Sequence, residues 1–317
     1  MDDHLSLHYE TIIGGITDGR VVPFLGAGVN LCGRPNSVGW QHGQFLPSGD
    51  ELASFLATHF RLPSINTQNL EAVARYVAAM NGEGPLYEQL HWIFDADYPI
   101  TPLHYLLATL PTILRDKGYP NPCQLIITTN YDDTLERAFQ AAHEPYDLVI
   151  YEAKKEHRGK IWHQPSDGIL CLIEKPNEYH SLPFKQDGIN VSLTRTVILK
   201  IHGSVNRAHV ERDSFLITED NVVDFLTRDM NSLLPSEMAA KMKRCNFLFL
   251  GYGLHDWDLR VLLYRIQQNR DLSYVSWAIQ LNPDFVDEII WRENNLHLLN
   301  ARLEDFVAAL NEKMQTL

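Results

Sequence analysis

The stretch Val21-Val22-Pro23-Phe24-Leu25-Gly26-Ala27-Gly28-Val29-Asn30 decides the fold, because an apolar run of strand length breaks abruptly into a glycine-rich turn. Strands buried on both faces read this way, without the polar alternation of a half-exposed sheet. Leu125-Ile126-Ile127-Thr128-Thr129, Val197-Ile198-Leu199-Lys200-Ile201 and Phe247-Leu248-Phe249-Leu250 share the pattern. A fifth run, Tyr274-Val275-Ser276-Trp277-Ala278-Ile279, is interrupted by Ser276. Between the runs lie helical spacings: Leu70, Val73, Ala74 and Val77; Leu135, Ala138, Phe139 and Ala142; Leu303, Phe306, Val307 and Leu310. Asp50, just before Leu52, Phe55 and Leu56, reads as a helix N-cap. Strand followed by helix, repeated, predicts an α/β fold: a doubly wound (Rossmann-like), mostly parallel sheet with a smaller helical subdomain. The expected organisation is one domain over residues 1–317. The helical subdomain occupies about 52–115, inserted after the first strand, and a mixed insertion occupies about 144–195.

Composition supports a globular chain. Of 317 residues 45% are hydrophobic and 21% charged, with 18 Gly and 16 Pro, which excludes disorder and collagen-like repeats. Lys plus Arg number 27 against 40 Asp plus Glu, a net charge of −13 that argues against a nucleic-acid-coating or anionic-membrane module. It leaves room for a local pocket that takes a small phosphate ligand. No apolar stretch approaches the ~20 residues that span a bilayer, and Met1-Asp2-Asp3-His4 lacks the basic flank of a secretory signal. Cys32, Cys123, Cys171 and Cys245 stand alone, as reduced thiols do in a cytoplasmic protein. His4 and His8 lack a carboxylate pattern of the His-Glu-x-x-His kind and read as solvated, so no metal is expected. Lys154, Lys155, His157, Arg158 and Lys160 form a locally basic segment, a solvated loop or a partner contact.

Four segments carry chemistry, each at the end of a predicted parallel strand, where ligands bind in open α/β sheets. In Gly26-Ala27-Gly28-Val29-Asn30 the glycines permit a tight turn and close approach of backbone N–H groups to a pyrophosphate, although a structural turn accounts for them equally well. Thr129-Asn130-Tyr131-Asp132-Asp133 places a polar cluster before a helix; one aspartate reads as its cap, while Asn130 is left to face a ribose hydroxyl or water. Lys200-Ile201-His202-Gly203 puts an imidazole at the crevice mouth, suited to accept a proton near neutral pH. Gly251-Tyr252-Gly253-Leu254-His255-Asp256-Trp257-Asp258 again permits close backbone approach, and Asp256 reads as a cap for a helix through Arg260 and Leu263 rather than as a magnesium ligand with Asp258.

Together these motifs resemble the sirtuin family, and more closely its sirtuin-like branch of bacterial antiphage-defence NAD hydrolases. Leu46-Pro47-Ser48-Gly49-Asp50-Glu51-Leu52 and Ile217-Thr218-Glu219-Asp220 look like lesser markers of that branch. The resemblance spans about residues 20–300. It implies an NAD pocket in which Gly26, Ala27 and Gly28 line the pyrophosphate, with Asn30 beside them. Thr129, Asn130, Tyr131 and Asp132 would lie near the nicotinamide ribose and carboxamide, Asn130 and Asp132 with catalytic roles. His202 matches the catalytic histidine, while Gly251, Tyr252, Gly253 and Asn282 would approach the adenosine end.

The departures bear on activity. The family's deacylases carry a four-cysteine zinc module after the histidine, whereas His202 to Cys245 here holds only Cys245. Asn130 and His202 stand 72 residues apart, more than a compact deacylase core requires. Asn30 and Gly253 stand where many relatives carry Ser. The resemblance therefore implies hydrolysis of NAD as substrate, kept latent by homo-oligomerisation or by a separate sensor chain such as an ATPase or an Argonaute. A deacylase or ADP-ribosyltransferase, and a module that senses NAD or ADP-ribose without consuming it, are the alternatives. A dehydrogenase fits less well, because Leu31 stands where the dinucleotide fingerprint has its third glycine.

Overall fold

In the computed structural model, which describes residues 3–35, 37–63, 69–187, 190–229, 233–253, 261, 264–265 and 275–317, helix α1 (Asp3–Thr17) leads into β1 (Val21–Leu25). A 3-10 turn, Ala27–Leu31, follows. Four helices come before the next strand: α2 (Gly49–His59), α3 (Leu70–Asn81), α4 (Glu83–Phe94) and α5 (Pro102–Asp116). Then come β2 (Leu125–Thr128), α6 (Thr134–Ala141), β3 (Tyr146–Tyr151), β4 (Ile161–Gln164) and β5 (Cys171–Ile173). A hairpin of β6 (Phe184–Asp187) and β7 (Asn190–Leu193) precedes β8 (Thr196–Lys200). The short pair β9 (Gly203–Ser204) and β10 (Ser214–Phe215) leads to α7 (Glu219–Thr227) and α8 (Ser236–Lys243). The chain ends with β11 (Asn246–Leu250), β12 (Ser276–Gln280), α9 (Phe285–Glu293), β13 (Leu296–Asn300) and α10 (Leu303–Thr316).

Nine strands form the main sheet in the order β13-β12-β11-β1-β2-β8-β3-β4-β5. Every pairing from β13 to β3 is parallel, and β4 and β5 add an antiparallel edge. Strand periodicity sends alternate residues to opposite faces. Val22, Phe24, Phe247 and Phe249 join a core with α7 and α8, whereas Val21, Leu25, Leu248 and Leu250 join one with α1, α5, α6 and α10. Pro23 is tolerated in so central a strand because β2 pairs only with Phe24 and Leu25. Among the runs read from sequence, Tyr274 lies outside the described residues. So do Leu254, His255, Asp256, Trp257 and Asp258 and the helix expected through Arg260 and Leu263.

Helices α2, α3 and α4 pack on one another around a third core, which Tyr131, Val205, Phe215 and Ile217 tie to the sheet end. The α2 N-cap is Ser48, not Asp50: Ser48 Oγ accepts from Glu51 N, and the Glu51 carboxylate accepts from Ser48 N at 2.9 Å. The reciprocal pair satisfies two backbone donors at once, which Asp50, inside the first turn, cannot do. Burial alone would raise the Glu51 carboxyl, but Arg34 and the backbone N–H groups of Ser48 and Trp40 hold it below the ordinary range. The chain reverses its direction of growth across the sheet at β1, which has β2 on one side and β11 on the other. The carboxyl ends of these three strands therefore face a crevice at a topological switch point.

Candidate functional site

A cavity of about 500 Å³ opens at that switch point. Gly26, Ala27, Gly28 and Asn30 line it after β1, and Thr129, Asn130, Tyr131 and Asp132 after β2. His202 lines it after β8, and Gly251, Tyr252 and Gly253 after β11. Its other side is formed by the start of α2 (Ser48, Gly49, Asp50), the start of α3 (Leu70, Glu71) and Phe94. At the end of β12 the lining residues are Ile279, Gln280 and, just after it, Leu281; Asn282 is not among them. Asn282 has turned out of the strand at φ 49°, is exposed, and its backbone N–H donates to Asn300 Oδ1 at 2.9 Å.

The glycines answer first to each other. A Cβ on Gly26 would stand 2.6 Å from Gly251 O and 2.7 Å from the Tyr252 ring. Gly251 adopts φ +67°, and a Cβ there would meet Val29 N at 2.2 Å. Gly26 N donates to Leu250 O at 3.0 Å, and Gly28 N to Gly251 O at 2.8 Å. The loops after β1 and β11 thus interlock backbone to backbone. The Gly26 and Gly28 N–H groups are therefore both engaged by backbone carbonyls, whereas among the described residues the Ala27 N–H has no backbone partner.

The loop after β2 is held by side chains. Asn130 N donates to Thr128 Oγ1 at 3.0 Å, and Asn130 Nδ2 to Gly26 O at 3.3 Å, which leaves Oδ1 as the end available to a ligand. Of the two aspartates, Asp132 receives the helix N–H, from Thr134 at 2.9 Å; Asp133 instead pairs with Arg137 and Arg207. Asp132 is only 4% exposed, and among the described residues its Oδ2 has no hydrogen-bond partner. Tyr131 donates its hydroxyl to Leu216 O at 2.8 Å, its ring packed against Phe94 and Phe215. His202 is half-buried, its ring edge-on to Phe225, and its carbonyl accepts from Leu216 N at 2.8 Å.

Behind this loop lies a charged cluster that sequence reading missed. Lys200, the last residue of β8, is fully buried, and its ammonium donates to the carbonyls of Tyr131 and Asp132 and to Glu136 Oε1 at 2.7 Å. Burial raises the Glu136 carboxyl above its ordinary range despite Lys200. His104 on α5, also buried, is pushed down to about 4 by burial, so the imidazole is neutral; its Nδ1 lies 2.9 Å from Thr101 Oγ1. Polar residues within apolar helical spacings were the available signal, but the partners are 64 residues apart for Lys200 and Glu136 and became visible only in the fold.

Two more lining groups have buried acceptors without partners among the described residues: Asn30 Oδ1 and Gln280 Oε1. The charged side chains lining the cavity are Asp50, Glu71 and Asp132; among the described residues no Lys or Arg lines it. Nor, among the described residues, does any group of three or more His, Cys, Asp or Glu gather as metal ligands, and no described helix is long and apolar enough to cross a membrane.

No curated protein matches the chain. The SIR2-like domain family matches residues 124–299, which take in the loops after β2, β8 and β11 and lie C-terminal to the glycine turn after β1. With more than half its length matched, the chain belongs to the SIR2-like domain family, whose domains bind NAD.

Proposed function

We propose that the chain hydrolyses the nicotinamide–ribose bond of NAD, releasing nicotinamide and ADP-ribose. The observation that carries this reading is the convergence of Asn130, Asp132 and His202 on one cavity with the glycine turn. The walls suit such a substrate. Unpartnered acceptors on Asn30, Asp132 and Gln280 offer places for amide and hydroxyl donors. The Ala27 N–H and the first turn of α2, where helix N–H groups lack intrahelical partners, offer donors to a diphosphate.

Breaking the N-glycosidic bond moves the positive charge from the pyridinium ring onto the ribose, and a buried carboxylate such as that of Asp132 beside the ribose favours that transfer as the leaving nicotinamide becomes neutral. Asn130 Oδ1 orients water or a ribose hydroxyl, and His202 accepts the proton as the water oxygen bonds to the ribose carbon. Binding of the distant diphosphate and second ribose holds the reacting carbon in place. A positioned base contributes typically ~10²–10⁴-fold, so His202→Ala and Asn130→Ala are expected to lose most NAD turnover while remaining folded. Nicotinamide and ADP-ribose should form from NAD without an acyl-lysine peptide, which separates hydrolysis from deacylation. Wild-type turnover by either variant, or no nicotinamide release from the unaltered chain under any activating condition, overturns the reading.

Unchecked loss of NAD would harm the cell that carries the protein. The reading therefore includes latency until phage infection, with release through self-association or through a separate sensor such as an ATPase or an Argonaute. Full-rate hydrolysis by the isolated chain, unchanged by such a partner, overturns that part alone.

A further inference from the structure

We propose that Gln280 makes this a site for NAD and against NADP, by accepting a hydrogen bond from the 2′-hydroxyl of the ribose distant from the cleaved bond. This rests on the NAD reading above. Neighbouring strands lie about 4.8 Å apart. In the order β12-β11-β1-β2-β8, Gln280 at the end of β12 stands three strands, about 14 Å, from the loop bearing Asn130 and four, about 19 Å, from the loop bearing His202. A dinucleotide with its reacting ribose between Asn130 and His202, and its diphosphate over the β1 turn, brings its other nucleoside to β12.

The chemistry at that end is selective. Gln280 Oε1 is buried on the cavity wall without a partner among the described residues. An acceptor left so is costly, and a ribose hydroxyl recovers that cost by donating to it. A 2′-phosphate has no proton to donate near neutral pH and brings further negative charge. Even with the amide turned to present its N–H groups, that charge meets no Lys or Arg among the described lining residues, only Asp50, Glu71 and Asp132. Dinucleotide sites follow the same division elsewhere, with an acceptor for the 2′-hydroxyl of NAD and a cation for the 2′-phosphate of NADP. Asn282 lies outside the lining, and its backbone N–H donates to Asn300 Oδ1.

Binding of NAD and of NADP by the full chain carrying His202→Ala, measured by calorimetry, tests this without turnover. NAD is expected to bind roughly 10–100-fold more tightly than NADP. Adding Gln280→Ala should weaken NAD about tenfold without improving NADP, and adding Gln280→Arg should narrow the preference at least about tenfold. Equal affinities in the His202→Ala chain, or an unchanged preference in a Gln280→Arg chain that still binds NAD, overturn the assignment. Selective binding by the His202→Ala chain with no hydrolysis by the unaltered one would remove the hydrolase reading and leave Gln280 in place. Failure to bind either dinucleotide removes both.

Discussion

After β2 and β8 the chain is held by side chains: a buried ammonium gathers two carbonyls and a carboxylate, and Tyr131 reaches across to Leu216. After β1 and β11 the two loops are held to each other by backbone hydrogen bonds, at glycines that let one loop rest on the other. The first arrangement tolerates varied backbone but depends on charge balance. The second carries little electrostatic risk but admits no added atom at Gly26 or Gly251. In the proposed reaction, the side-chain-held region meets the bond that breaks and the backbone-held region meets the part of the substrate that does not react.

The sharpest way to break the first region is Lys200→Met, which leaves Glu136 buried without its cation. Removing one partner of a buried pair costs about 3–5 kcal/mol, read as a fall in the urea midpoint. Glu136 has a raised folded-state pKa, so the folded state favours its protonated form. The stability this group lends is present at low pH and is lost as pH rises through the folded-state value. Without Lys200 the rise is larger, so the deficit of Lys200→Met should shrink on acidification and be partly repaired by adding Glu136→Leu. A deficit independent of pH would show that charge balance is not what Lys200 supplies.

Gly251→Ala breaks the second region. A non-glycine residue forced into such a backbone conformation costs about 1–3 kcal/mol, with the contact at Val29 N added. Its deficit should be the same at every pH in the same titration, and NAD-induced stabilisation should be lost; a fully stable, NAD-binding Gly251→Ala chain would deny the interlock. Tyr131→Phe is the mildest change, removing one hydrogen bond worth about 1 kcal/mol while the ring stays packed. An effect as large as that of Lys200→Met would mean that the hydroxyl, not the ammonium, anchors the loop.

The central strands were legible because β1, β2, β8 and β11 are unbroken apolar runs. β3 does not read as a strand, since Tyr146-Asp147-Leu148-Val149-Ile150-Tyr151 carries a charge near its start. In the fold that charge is buried and neutralised: Asp147 accepts from Arg195 Nε at 2.6 Å and lies 3.0 Å from His163 Nε2. β13, with His297 and Asn300 among its leucines, escaped for a similar reason. At the site, residues quoted from strand ends converge because parallel strands deliver their carboxyl ends to one side of the sheet. Gln280 was missed because nothing in a strand's last residue marks it as an acceptor without a partner. The Lys200–Glu136–His104 cluster was missed because its members come from β8, α6 and α5 and mean nothing until packed together.

The position of β1 between β2 and β11 has a consequence for dissecting the protein. The segment matched to the family, residues 124–299, begins after β1. Excised, it would carry β2 and β11 with no strand to join them, so each would present an unpaired edge where the intact chain has a continuous ladder. One wall of the cavity would go with it. The matched segment is therefore expected not to fold on its own, and an N-terminal deletion past Leu25 should yield an insoluble product rather than a smaller working one.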